Sequence, residues 1–292
     1  MEVAIFGKSF GEVFFNNCHQ LFDYLYEKGT KIHIYRPFYD FLLKKVNIKP
    51  EVAGFFDEPD ELPSVDMLFS IGGDGTFLQA VTFVQSAGVP IVGINSGRLG
   101  FLADISRDEL PVALEEIDSG EYKIKDLSLL ELTTPKNLVG DFNYALNEFA
   151  VHKQDSSSMI TIHTYLNNEY LNSYWADGLI VSTPTGSTAY SLSVGGPIMH
   201  PSSQGIIITP IAPHNLTVRP LVVPDEMELT LKVEARGGKF LASLDSRSVV
   251  VDESTELKIR KAGFSVRMVE RSNQSFYSTL RNKLMWGADR RN

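Results

Sequence analysis

The stretch SIGGDGTFLQA (residues 70–80) sets a lone carboxylate, Asp74, among three glycines at the end of an apolar run. A turn needs glycine but has no use for a particular acid. A loop that handles a phosphoryl group has use for both. Gly72, Gly73 and Gly75 permit positive φ and close backbone approach. Their amides, with the N-terminus of a helix expected near Thr76, make a site suited to anions. An aspartate there fits a group that accepts the proton of a hydroxyl attacking a phosphoryl group, or one that helps to position a metal. The plain alternative is a glycine turn with Asp74 capping the helix, and GGDG by itself supports both equally.

Outward from this loop, DMLFSI (66–71) reads as a buried strand and TFLQAVTFVQSAG as a helix. VAIFG (3–7), KIHIY (31–35) and VPIVGIN (89–95) read as further strands. Helical spacing covers 14–28, with Gly29 placed to end it, and returns in PFYDFLLKKV. This alternation predicts an open, parallel α/β sheet, in which ligands gather at the carboxyl ends of the strands. The character changes after SRDELPVALEEIDSGEYKI, expected as a helix and a link. From Leu127 to about Val269 short strands dominate, punctuated by Pro210, Pro213, Pro220 and Pro224, which predicts an antiparallel β domain of sandwich or barrel type. The tail, SFYSTLRNKLMWGADRRN, reverts to helical spacing through Phe276, Leu280 and Leu284 and must dock on one of the two domains.

The 292 residues suffice for two domains with sizeable cores, and a net charge of −9 disfavours nucleic-acid binding and adhesion to anionic membranes. Cys18 is the only cysteine and sits at helical spacing among Phe14, Leu21, Phe22 and Leu25, as a buried, inert thiol would. MEVAIFGKSF lacks the pattern of a signal peptide, and no run approaches 18 apolar residues, so a reducing cytoplasm is expected.

Two further constellations carry chemistry. In WADGLIVSTPTGSTAYSLSVGGPIMHP (175–201) a strand runs into a loop dense in hydroxyls: Thr183, Thr185, Ser187, Thr188, Tyr190 and Ser191. That density suits a ribose-rich ligand, with Tyr190 able to stack on a base and Asp177 able to accept from an amide or ribose. The alternative is a polar turn whose hydroxyls bond to the local backbone. In NEF (147–149), strand alternation points Asn147 and Glu148 to opposite faces. They either cap a strand edge or clamp vicinal hydroxyls.

Taken together and in this order, GGDGTFLQA (72–80), NSGRLGFLAD (95–104), NEF (147–149), DGLIVSTPTGSTAYSLSVGGPI (177–198) and TPIAPHNL (209–216) resemble the bacterial NAD kinase family. GGDG alone is shared with phosphofructokinase-like and diacylglycerol-kinase-like enzymes; the combination is specific. The resemblance implies an α/β domain over 1–126 with a phosphofructokinase-like open sheet, onto which the helix 275–292 returns. It implies an all-β antiparallel sandwich over 127–274 that binds the dinucleotide, and an active site in the cleft between the two. It further implies transfer of the γ-phosphoryl of ATP to the 2′-hydroxyl of the adenosine ribose of NAD, giving NADP, with a divalent cation such as Mg²⁺ and a homodimer or homotetramer.

By position, Asp74 matches the proton acceptor and Gly75 lies beside it at the dinucleotide. Asn147 and Glu148 match the pair that holds the ligand, and Asp177 a nicotinamide-side contact. Thr188, Ala189, Tyr190, Ser191, Leu192 and Ser193 match the dinucleotide-binding loop, with Ala212 a contact beyond it. Arg247 is carried over from Asp245-Ser246-Arg247, where relatives read DGQ. Trp175-Ala176 stands where many relatives carry a basic residue or histidine. His152, His163, His200 and His214 lack metal-ligand spacing and are expected to be structural, and no metal ligand is assigned. A lipid kinase on the same plan would need an apolar acceptor pocket, which TPTGSTAYS opposes. An idle dinucleotide sensor would avoid a carboxylate such as Asp74 facing the 2′-phosphate.

Overall fold

In the computed structural model, which describes residues 1–97, 99–154 and 158–286, the apolar segments of the N-terminal part become five parallel strands. These are β1 (Glu2–Gly7), β2 (Lys31–Tyr35), β3 (Gly54–Phe56), β4 (Met67–Gly72) and β5 (Ile91–Asn95), hydrogen-bonded in the order β3-β2-β1-β4-β5. The chain builds outward from β1 to β3, then crosses back and continues on the other side of β1. The switch point therefore lies between β1 and β4, where the carboxyl ends of strands open a crevice. GGDG leaves β4 at that point.

Four helices cover this sheet: α1 (Phe15–Glu27), α2 (Arg36–Phe41), α3 (Asp74–Val84) and α4 (Leu110–Ser119). Leu21, Phe22 and Leu25 of α1 and Leu110, Leu114 and Ile117 of α4 share a core with Val3, Ile5, Phe69 and Val92 of the strands. Cys18 is buried in that core, and its burial pushes the thiol up to about 12, which makes it inert at neutral pH. The helix expected over PFYDFLLKKV is α2 followed by one wider π turn, Leu42–Val46, which Asn47 ends in the left-handed region at φ 58°.

The second part is a sandwich. β6 (Tyr122–Thr134), β7 (Tyr144–Ala145), β8 (Glu148–Lys153), β9 (Ile160–Leu166), β10 (Glu169–Ala176), β11 (Gly178–Ser182), β12 (Ile206–Ile211), β13 (Leu221–Val223), β14 (Leu229–Glu234), β15 (Lys239–Leu244), β16 (Arg247–Asp252) and β17 (Leu257–Arg271) build it. One layer is antiparallel in the order β13-β12-β11-β8-β15-β16, with the one-turn helix α5 (Tyr190–Ser193) between β11 and β12; the facing layer contains β10-β9-β14-β17, with β6 pairing to β17. Alternate residues meet in the middle: Phe149 and Val151, Phe240, Ala242 and Leu244 from one layer, Leu229, Leu231 and Val233, Leu257 and Ile259 from the other. GLIVS is buried along its whole length because Ile180 packs on the opposite face against Ala150 and Ile211, with Val194 beside them.

By compactness the chain divides into Met1–Asp126 with Val266–Asn292, and Leu127–Ser265. The return falls inside β17, whose Met268 pairs with Ile91 of the first unit. The C-terminal helix, α6 (Phe276–Leu284), belongs to that first unit. It starts at a capping box between Ser275 and Ser278 and buries Leu280 and Thr279. Residues 287–292 of the helix expected over 275–292, and Arg98 of NSGRLGFLAD, lie outside the described residues. No described helix is long and apolar enough to cross a membrane. Because Phe240 is fully buried between the two sandwich layers, Phe240→Ala is expected to cost about 3–5 kcal/mol in urea unfolding.

Candidate active site

The GGDG loop obtains its shape from a close approach. A side chain at Gly72 would meet Oγ1 of Thr76 at 2.2 Å, so only glycine lets the first turn of α3 fold back over the end of β4. Gly73 (φ −112°) and the helical Gly75 do not use the left-handed region, which corrects the expectation of positive φ there. The Cβ of a larger residue would meet no described atom at either position, so these glycines leave the backbone open instead of relieving a clash. Helix α3 starts at Asp74, earlier than expected, and its N-cap is Gly73 without a side-chain cap.

Asp74 does not cap its own helix. Its carboxylate reaches across to the turn after β5, where Oδ2 accepts from the amide of Phe101 (2.9 Å) and Oδ1 from those of Leu102 (2.9 Å) and Ala103 (3.0 Å). Lys283 of α6 adds an ion pair to Oδ2 at 3.4 Å. Gly100 makes this possible, since a Cβ there would lie 1.9 Å from Oδ1. The turn is held independently: the Gly100 amide donates to the Ala103 carbonyl (3.1 Å), which also accepts from the Asn95 side chain (3.3 Å). NSGRLGFLAD is thus the partner of GGDG, a relation no spacing in the sequence displays.

The second unit repeats the device. Asp245 in the β15–β16 turn accepts from three consecutive amides, Leu146 (2.9 Å), Asn147 (2.8 Å) and Glu148 (3.1 Å). Asn147 is buried just before β8, and Glu148 is the strand's first residue. Burial, with the neighbouring Asp245 acting in the same direction and the amide of Tyr190 opposing, pushes the Glu148 carboxyl up to about 8. Its Oε2 is buried with no hydrogen-bond partner among the described residues, a polar atom suited to a ligand hydroxyl. Tyr190, 40 % exposed, stacks on the half-buried His152 at 5.7 Å and 20°.

The hydroxyls of TPTGSTAYS face inward more than the sequence suggests. Thr183 donates to the Leu146 carbonyl (2.6 Å), Ser187 to Met199 (3.2 Å) and Thr188 to Thr185 (3.2 Å), while Ser191 bonds Thr209 (3.1 Å). Thr185 is buried with an unpartnered hydroxyl. These groups build the loop, and Thr188, Ala189, Tyr190, Leu192 and Ser193 form its more open rim. Asp177 pairs with Lys153 at 2.6 Å. Ala212 is exposed at φ 44°, a left-handed conformation that costs an alanine roughly 1–2 kcal/mol and is retained where surroundings impose it. Trp175 is half exposed, its ring 4.4 Å from that of His214. The Arg247 guanidinium donates to the carbonyls of Phe142 and Tyr144 and lies over the Phe142 ring.

Among the described residues, no group of three or more His, Cys, Asp or Glu side chains is arranged to hold a metal ion. Lys283 was not singled out in the sequence, and Asp245 only as the first residue of the triplet from which Arg247 is carried over; their partners, far away in the chain, leave no local pattern.

A glycine loop with one carboxylate at the switch point of a parallel sheet, followed by a β sandwich, defines the GGDG class of phosphotransferases. Residues 46–122 match the model of the ATP-NAD kinase N-terminal domain, and 146–271 that of the C-terminal domain. NAD kinases of Cytophaga hutchinsonii and Bacteroides fragilis are each 47% identical to this chain, with 100% of both chains covered. An NAD kinase from Archaeoglobus fulgidus in complex with ATP has a TM-score of 0.74 at 27% identity, over 98% of this chain and 99% of that one. Yeast NADH kinase complexed with NADH shares the fold, with a TM-score of 0.85 at 23% identity over 99% and 88% of the two chains. The chain belongs to the NAD kinase family.

The folded chain keeps a proton on Glu148 up to about pH 8, whereas the unfolded chain releases it near the ordinary 4.5. The stability this group allows is therefore full below pH 4.5 and is lost as pH rises through 8. Glu148→Gln is expected to raise Tm by a few degrees at pH 9 and by much less at pH 4.5. Comparison with the parent at each pH cancels the similar contribution of Asp104, whose burial pushes it up to about 7. Gly100→Ala is expected to lower both Tm and turnover, because Asp74 loses its seat on the 101–103 amides.

Proposed function

We propose that the ATP-dependent NAD kinase activity of this chain runs through Asp74 as proton acceptor for the 2′-hydroxyl of the adenosine ribose. The observation that carries this reading is a carboxylate at the sheet's switch point, oriented by three backbone amides. Proton and phosphoryl move together. The hydroxyl proton goes to Asp74, the ribose oxygen bonds the γ-phosphorus, and the β–γ bridging bond breaks with its electron pair leaving on ADP. The open backbone at Gly73 and Gly75 and the N-terminus of α3 favour phosphate oxygens in this unit.

In the second unit, Asn147 and Glu148 are proposed to hold ribose hydroxyls, with the buried Oε2 of Glu148 finding there the partner it lacks. The loop from Thr188 to Ser193 receives the dinucleotide, Tyr190 stacking on a ring from its exposed side. Asp177 and Ala212 supply further contacts. ATP is proposed to bring its divalent cation, Mg²⁺ in the cell, bound to its own phosphates. We assign the enzyme to the cytoplasm as a homodimer or homotetramer; an acidic chain with one buried thiol suits that compartment. Exposed Trp175, Leu216 and Val222 offer apolar surface to a second copy.

The test is incubation with NAD, ATP and Mg²⁺ and enzymatic assay of NADP. Asp74→Asn is expected to reduce kcat by about 10²–10⁴-fold, the range of a lost general base, while NAD affinity measured by calorimetry changes little. Near-normal turnover in this variant would show the base assignment to be wrong.

A further inference from the structure

All four acceptor directions of the Asp74 carboxylate are taken. Oδ1 accepts from Leu102 and Ala103, and Oδ2 from Phe101 and from the ammonium of Lys283. A carboxylate offers about four lone-pair positions. In this state it has no position left for a ribose hydroxyl, so one partner has to leave before the proton can move.

The four partners are not equally replaceable. The three amides belong to a turn closed by Gly100 and Ala103 and tied to Asn95, so they move only if the turn does. Lys283 makes the longest contact, 3.4 Å, from the end of a flexible stem, and about a third of its side chain is exposed. Its ammonium also lies 4.6 Å from the centroid of the Phe101 ring, a second attraction that can hold the charge close after the carboxylate is released. Helix α6 is secured to the same turn, since Phe276 packs 6.5 Å from Phe101 and Gln274 donates to the Asp104 carbonyl at 3.2 Å. The lysine is therefore delivered to Asp74 by a secured element, its ammonium at the end of a long, partly exposed stem.

We propose that Lys283 is the exchangeable partner of Asp74: it holds the fourth acceptor position in the free enzyme, yields it to the acceptor hydroxyl, and then neutralises the phosphoryl group in transfer. The inference rests on Asp74 being the proton acceptor. Its charge balance is closed. When the hydroxyl proton reaches Oδ2, Asp74 becomes neutral and Lys283 loses its counter-charge, while negative charge is spread over the phosphoryl oxygens. An acceptor oxygen within hydrogen-bonding reach of Oδ2 brings the phosphorus to roughly 6 Å or less from that carboxylate, inside the sweep of a lysine stem. The ammonium exchanges one anion for another, and neither charge is left unpaired in the site. Lys283 is thus a positioning residue for Asp74 before the step and a cation for the phosphoryl group during it.

The experiment uses the full chain with Lys283→Met, Lys283→Arg, Asp74→Asn and the double variant Asp74→Asn/Lys283→Met, each checked by thermal melting. Lys283→Met is expected to lower kcat about 10- to 100-fold with KM for NAD within about threefold of the parent. Lys283→Arg is expected to recover part of the loss. Added to Asp74→Asn, the lysine substitution is expected to cost less than it does in the parent, because the part of its effect that passes through the carboxylate is already lost. A parent-like kcat in Lys283→Met, or a full multiplication of the two losses, overturns the inference alone. Normal turnover in Asp74→Asn overturns the base assignment and the inference with it. Should Lys283→Met fail to melt cooperatively, Lys283→Gln carries the same comparison.

Discussion

The contact on which the first unit depends is that of one carboxylate with three consecutive backbone amides. Amides 101–103 point together and would be poorly satisfied without an acceptor. Asp74 satisfies them, and in doing so fixes the turn after β5 against the start of α3. The glycines on either side follow from this contact. Gly72 lets α3 begin close to β4, and Gly100 leaves the space that the carboxylate occupies. The residue proposed as the proton acceptor is thereby also structural. The three amides are held by the turn itself, whereas Lys283 reaches the carboxylate from the end of a long stem on α6.

The second unit solves a similar problem with Asp245, which gathers the amides of 146–148 and so sets the backbone that presents Asn147 and Glu148. The consequence is electrostatic. Two carboxyl groups lie close together in a buried place, and both are raised by burial. A ligand that donates to Glu148 would relieve a cost the free protein carries. Rigid loops with one unmet polar group are better prepared for a ligand than flexible polar ones, because less ordering remains to be done on binding.

Much of this architecture was legible in the residues. The strand runs KIHIY and GLIVS coincide with β2 and β11, and the division of the chain into an α/β part and a β part follows from where period 3.6 gives way to period 2. The motif order pointed to the family. The hydroxyls of TPTGSTAYS were legible as a cluster but not as to direction. Thr183, Ser187, Thr188 and Ser191 bond to protein groups, since a loop lying on a buried sheet has its own amides and carbonyls to satisfy. Arg247 was legible as a charge near a motif, whereas its carbonyl partners come from residues more than a hundred positions earlier.

The sequence by itself determined the periodicities, the glycines and the acid that name the chemistry, because these act between residues a few positions apart. Only the tertiary structure decided which groups complete each acid. Asp74 meets a turn nearly thirty residues on and a lysine 209 residues away, and Asp245 meets amides nearly a hundred residues back. Such contacts are set by strand order and by the docking of the last helix. A carboxylate's environment is the sum of whatever the fold brings within hydrogen-bonding distance, and no local pattern encodes that sum.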